Sequence, residues 1–264
     1  TTTTAVNINN FIVGVVGSTY FNGTIDELRL YSRTLSTSEI VGLYNIGAIK
    51  FTPPNNLGLV GYWSFNEGTT TTALDYSGNK NKGTLVNGPV WTSGKLGKAL
   101  NFDGVNDLVN AGSRSSLGNL FKINGLTYAA WIKPNSMGEA GTGCIICKDG
   151  NGTGRIRFQL FDTNGIRFIK DGTTSLVRRI SNNTIVFGQW QHVALTWDGS
   201  ETATNVHIFV NGVEPGYQAT SNGSNINDSD AALNLIIGSD KNTTIAFDGL
   251  IDDVRVYNSA LSAS

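Results

Sequence analysis

Proline, methionine and cysteine are scarce in this sequence: five, one and two among 264 residues. So few prolines leave nearly every backbone amide free to enter a hydrogen-bonded ladder. No apolar stretch is long enough to cross a bilayer and no basic-then-apolar leader opens the chain, so membrane insertion is not expected. A surplus of one charge is missing as well, with 19 basic against 20 acidic residues and no run of either sign. That balance argues against nucleic acid and anionic membrane as partners. Long helical periodicities are absent too. The chain begins at Thr1 rather than at a methionine, which reads as an excised or processed piece.

What the sequence does hold is glycine, at 32 residues, with abundant Asn and Thr. Short alternating segments are punctuated by Asp103-Gly104, Asp149-Gly150, Asn164-Gly165, Asp171-Gly172, Asp198-Gly199 and Asn211-Gly212, pairs favoured in hairpin turns. Between these turns the pattern predicts strands at 60–65, 83–87, 99–102, 107–111, 126–134, 144–148, 155–161, 165–170, 176–180, 189–197, 206–210, 233–237 and 250–257. So many short amphipathic strands need a second sheet to cover their apolar faces. The predicted fold class is therefore all-β, a two-sheet antiparallel sandwich, with a closed barrel as the alternative that the pattern alone leaves open.

One segment occurs twice. Phe247 to Asn258 (FDGLIDDVRVYN) repeats Phe21 to Ser32 (FNGTIDELRLYS), each after a short apolar strand ending in glycine and each followed by a Leu-Ser pair. The repeat predicts that residues 1–45 are the closing strands of a preceding, incomplete unit. These are strands at 6–16 and 24–31 around Asn22-Gly23, then a short helix near 36–45 opened by the Ser36-x-x-Glu39 capping box. Residues 46–58, with Pro53-Pro54, read as a linker, and 59–264 as a complete domain. Two strands with one apolar face are marginal alone. The 6–31 hairpin is therefore expected to pair with its own domain or with a neighbouring chain.

In strict alternation Leu250, Asp252, Val254 and Val256 share one face, which places the Asp252 carboxylate in an apolar, core-facing row. Burying an acid is costly without a partner, so Asp252 is either a hydrogen-bonded structural residue or a metal ligand. Cys144 and Cys147 lie three apart, which in an extended strand means Cα atoms roughly 10 Å apart, beyond disulfide reach. They read as small packing residues. Trp63, Trp131 and Trp197 alternate among apolar neighbours and read as core.

The segments GYWSFNEG (61–68), DYSGNKNKGTL (75–85), GKALNFDG (97–104), TYAAWIKP (127–134), WQHVALTWDG (190–199), VNG (210–212) and FDGLIDDVRVYN (247–258) together resemble the laminin G-like domains of the concanavalin A-like lectin/glucanase superfamily. The resemblance covers 59–264 in the family's order. It implies a jelly roll of the kind found mainly in secreted and surface proteins, often in tandem, that bind glycans or other proteins.

The family's hydrolases carry acids in a Glu-x-Asp-x-Glu pattern on one strand, which this chain lacks. Its glutamates are isolated, and Asp252 and Asp253 are neighbours that alternation turns to opposite faces. The expectation is therefore a non-catalytic, extracellular carbohydrate-binding or adhesion module. A structural repeat contacting a cell-surface protein is the alternative, and a glycoside hydrolase the more distant one. For ligands, the loop aromatics Trp91 and Tyr217 and the polar loop at Asn151 are the candidates. For calcium, the oxygen-rich loop of Asp75, Asn79 and Asn81 is expected to meet Asp252, because first and last strands are neighbours in similar domains.

Overall fold

The computed structural model describes residues 58–262 except 123 and 150–153, together with positions 13, 15–16, 18–23, 31 and 33–36. The chain divides into two compact units, Thr1–Asn55 and Asn56–Ser264. In the first, β1 (Val15–Val16) pairs with β2 (Thr19–Tyr20). Most of the predicted 6–16 and 24–31 strands, the helix near 36–45 and the expected pairing of the tail lie outside the described residues.

Among its described residues, the second unit is built of two antiparallel sheets. The larger has nine strands in the spatial order β16 (Tyr217–Ser221), β13 (Leu176–Ile180), β12 (Gly165–Lys170), β11 (Ile156–Phe161), β10 (Thr142–Asp149), β17 (Asn234–Ile237), β8 (Leu108–Gly112), β5 (Gly83–Val86) and β4 (Thr72–Ala73). The smaller has seven. Its order is β15 (Val206–Val210), β14 (Gln191–Trp197), β9 (Leu126–Pro134), β18 (Asp248–Tyr257), β7 (Lys98–Asp103) and β6 (Val90–Ser93), with β3 (Leu59–Trp63) paired to the far end of β18. Every strand predicted from residue 60 onward is present. The unforeseen strands β4, β6 and β16 are short or polar, and such edge strands give a weak periodic signal.

Apolar side chains of both sheets meet in one core, where Phe102 packs edge-on against Phe247 and Trp197 lies between Phe121 and Phe168 at 5.2 and 5.3 Å. Burying these rings is the main stabilising contribution, each worth roughly 2–3 kcal/mol of apolar transfer.

Two bulges overturn expectations drawn from strict alternation. Along β18, Asp252 faces Trp131 and Arg255 faces Ala129, so three steps on β18 match two on β9. Asp253 takes the extra place with φ 50°. The phase flips there, and Ile251, Val254 and Val256 are the core residues while Asp252 sits in the outer row with Trp131. Both readings, Asp252 as core-facing and Trp131 as core, are corrected accordingly. On β10 the ladder to β11 shifts between Cys144 and Ile146. The extra residue draws Cys144 and Cys147 together to a Cα separation of 6.2 Å, and they form a disulfide. An extended-strand distance does not apply across a bulge.

Candidate functional site

The smaller sheet's outer face carries rows of side chains set by register. In one row His192, Trp131 and Asp252 stand side by side on β14, β9 and β18. In the next come Phe209, Ala194, Ala129, Arg255 and Tyr62. Thr196, Thr127 and Tyr257 follow. The middle strands thus present Ala and Thr, while bulkier aromatic and charged residues flank them. A floor of small residues between larger walls is a groove, here of about 360 Å³. That is within the size range of small-ligand sites.

At one end of the groove Trp131 packs edge-on against His192 at 5.3 Å, and the Lys95 ammonium lies 4.8 Å from the Trp131 ring centre. Burial, reinforced by Arg255, lowers the His192 pKa. Its imidazole is therefore neutral at pH 7, with one ring nitrogen able to donate and the other to accept. Along the β18 wall Arg255 clamps Asp253 through Nη2, at 2.9 and 3.2 Å to the two carboxylate oxygens. Its guanidinium carbon lies 4.9 Å from the Tyr62 ring centre. Burial, then the Asp253 charge, pushes the Tyr62 hydroxyl up to about 12. At the far end the C-terminal segment folds over Thr127, whose hydroxyl donates to the Ser259 carbonyl and accepts from the Leu261 amide.

Asp252 is sealed off. The β6–β7 turn closes over it, and its Oδ2 accepts the Leu96 amide at 2.8 Å. Burial first, then the neighbouring Asp253 charge, raises its pKa to about 6 against three backbone amides that oppose the shift. Gly94 is required here, because a Cβ at that position would meet the Lys98 carbonyl at 2.4 Å and the Asp252 carboxylate at 2.7 Å.

A second recess, of about 550 Å³, continues from the groove past Phe209 and Thr196. His207 and Glu214 line it, with His207 Nδ1 2.9 Å from Glu214 Oε1. The Tyr217 hydroxyl donates to the same carboxylate at 2.5 Å and accepts the Ile208 amide. Burial pushes Glu214 up, but the hydrogen bonds from Tyr217 and His207 outweigh it and hold the carboxyl below its ordinary value.

The residues predicted from sequence fall in several places. Tyr217 supports the second recess through its hydroxyl, while one face of its ring is covered by Arg178 at 3.4 Å. Trp91 sits on the edge strand β6, turned inward against Phe65, and its indole N–H donates to the Thr70 carbonyl at 2.7 Å. With Pro89 and Val90 it lines a separate, shallow recess. Asn151 lies outside the described residues.

Asp75 accepts three backbone amides, those of Tyr62, Ser77 and Asn81, at 2.7–2.9 Å. Asn81 is buried, donating to the Val60 carbonyl and accepting from Ser116, and Asn79 reaches the Leu59 carbonyl. This loop braces β3, whereas Asp252 is held by the 94–97 turn, and the two share no hydrogen-bond partner. Among the described residues no group of three or more His, Cys, Asp or Glu side chains could hold a metal ion. The groove residues His192 and Arg255, and Trp131 beside His192, were missed. Their signal was available in Thr127-x-Ala129-x-Trp131 and His192-x-Ala194-x-Thr196, two adjacent strands with small residues on the solvent face.

A family model described as concanavalin A-like lectin/glucanases superfamily matches residues 103–264. No curated protein matches the chain. Among solved structures, domain 4 of AbnA, a GH43 extracellular arabinanase from Geobacillus stearothermophilus in complex with arabinotriose, aligns with TM-score 0.59 and 21% identity. That match covers 78% of this chain and 95% of the other. The CBM40 of the Ruminococcus gnavus IT-sialidase bound to α2,3-sialyllactose aligns with TM-score 0.50 and 14% identity, covering 62% and 92%. The botulinum neurotoxin serotype G binding domain aligns at 0.54 and 15%, and there this chain's 78% spans only 49% of the other. At these identities the likeness is one of fold.

Proposed function

The chain belongs to the concanavalin A-like lectin/glucanases superfamily, and on that basis we propose that it is a non-catalytic carbohydrate-binding module acting outside the cell, with the groove of the smaller sheet as its sugar site. One observation carries the reading: an Ala/Thr floor lined by polar groups of both hydrogen-bonding senses, with the half-buried Trp131 next to the lining residue His192 at one end. A pyranose or furanose presents an apolar face that packs on an aromatic ring and hydroxyls that need donors and acceptors. Trp131 supplies the first, and neutral His192, Arg255 and Thr196 supply the second. The arabinotriose and sialyllactose held by the two structural neighbours support a glycan as ligand. The Cys144–Cys147 disulfide supports an oxidising, extracellular setting.

The arrangement of the acids supports a non-catalytic role. Glycosidases need two carboxyl groups facing the scissile bond. Here the bulge does bring Asp252 and Asp253 toward one face, but Asp252 is sealed beneath the 94–97 turn and Asp253 is clamped by Arg255. Glu214 is held by His207 and Tyr217, and Asp198 by Ser200 and Asn205.

The test is a glycan array with the wild type and Trp131→Ala, followed by calorimetry on any hit. Loss of the aromatic edge should weaken binding about tenfold, roughly 1.4 kcal/mol. Wild-type affinity in W131A would remove the groove as the site. A blank array for the wild type would leave contact with a cell-surface protein as the function.

A further inference from the structure

The larger sheet's outer face carries a cluster that the groove does not use. Register places Gln159, Arg167 and Arg179 in one row across β11, β12 and β13, with Arg157 next to Gln159's row on β11. Arg167 is stacked on Phe161, its guanidinium carbon 3.5 Å from the ring centre, and Arg179 lies 5.3 Å from the same ring. Arg179 pairs with Asp162 at 2.8 Å, and Arg157 faces Asp149 at 3.9 Å. Arg167 has no carboxylate partner among the described residues. The cluster therefore holds three guanidinium groups against two carboxylates, with the surplus charge at its centre. Burial first, then repulsion from Arg157 and Arg179, lowers the Arg167 pKa to about 10. Holding like charges this close is unfavourable unless an anion joins them.

The hydrogen-bond inventory points the same way. The Nε atoms of Arg157, Arg167 and Arg179 and the Oε1 of Gln159 are buried and have no hydrogen-bond partner among the described residues, the Arg157 Nε lying 3.9 Å from the Asp149 carboxylate. Gln159 is itself only 1% exposed. Orphaned buried polar atoms are uncommon, and four lie together just beneath this patch, three donors and one acceptor. A carboxylate suits planar guanidinium forks, and a neighbouring hydroxyl suits a lone amide oxygen. An acidic sugar carries both groups on adjacent carbons.

We propose that Arg157, Gln159 and Arg167, buttressed by Arg179 and Phe161, form a second binding site that takes an acidic sugar, with the carboxylate on Arg167 and a hydroxyl on Gln159. This site is on the opposite sheet from the groove and does not depend on it. D-Glucuronate, D-glucose and acetate are the ligands to titrate, by calorimetry or ligand-observed NMR, into wild type, Arg167→Gln, Arg167→Lys and W131A. Glucuronate should bind at least tenfold more tightly than glucose or acetate, lose at least tenfold in R167Q, and be unaffected by W131A. R167K keeps the charge but not the fork, and should lose at least threefold even where R167Q fails to fold. No glucuronate binding by the wild type, equal binding of glucose, or full affinity in R167K would overturn the proposal. Acetate binding as tightly as glucuronate would overturn the sugar assignment, and loss of glucuronate binding in W131A would move the site to the groove.

Discussion

The two outer faces of the sandwich are built on the same strand geometry and reach opposite electrostatic solutions. On the smaller sheet Arg255 is matched by Asp253, and the middle of the face is left to Ala129, Ala194 and Thr196. On the larger sheet Arg157, Arg167 and Arg179 crowd together, and Phe161 rather than a carboxylate supports the central one. The core side of every strand is committed to packing, so the alternate residues facing out can differ in chemistry without altering the fold. An arginine's role is set by what faces it across the ladder.

The largest expected effect tests that contrast directly. Arg255→Gln leaves Asp253, whose side chain is 7% exposed, without its ion pair, and should cost about 3 kcal/mol in a urea titration. Arg167→Gln relieves repulsion from Arg157 and Arg179 and should change stability by no more than about 0.5 kcal/mol in either direction. Equal losses in the two variants would erase the distinction between the faces.

Asp252 sharpens the comparison through pH. Below its ordinary pKa of 3.8 it is protonated in both the folded and the unfolded chain. Between 3.8 and about 6 only the folded protein keeps the proton, so its contribution to stability declines as pH rises through that window and stays low above it. Asp252→Asn, which keeps an acceptor for the Leu96 amide, should remove this slope. Relative to wild type it should gain up to about 3 kcal/mol between pH 4 and pH 7. Parallel pH–stability curves for the two proteins would contradict the sealed-carboxyl reading.

A smaller change is expected from the double substitution Cys144→Ser and Cys147→Ser. Opening so short a loop should cost about 2 kcal/mol of stability. Because the disulfide lies on the larger sheet, affinity at the groove should stay at its wild-type level. Reduced groove affinity in the refolded variant would show that the faces are not independent. The smallest effect is expected from a chelator. With the Asp75 carboxylate already accepting three amides, EDTA should leave the melting temperature unchanged. A fall in melting temperature would restore calcium to the 75–81 loop.

Much of the fold was legible in the amino-acid order, because a period of two with Asn-Gly and Asp-Gly punctuation is a local property. It determined every strand of the second unit except β4, β6 and β16, the all-β class and the family resemblance. It also marked Asp252 as anomalous, correctly, but assigned it to the wrong face. What alternation could not contain was the extra residue at Asp253, since a bulge is decided by the neighbouring strand's ladder. The bulge on β10 escaped for the same reason, and with it the disulfide between Cys144 and Cys147. The groove and the arginine cluster join side chains of adjacent strands, such as Trp131 with His192 and Gln159 with Arg167. Which strands lie side by side, and in what register, depends on burial of the whole core, and only the tertiary structure decides that.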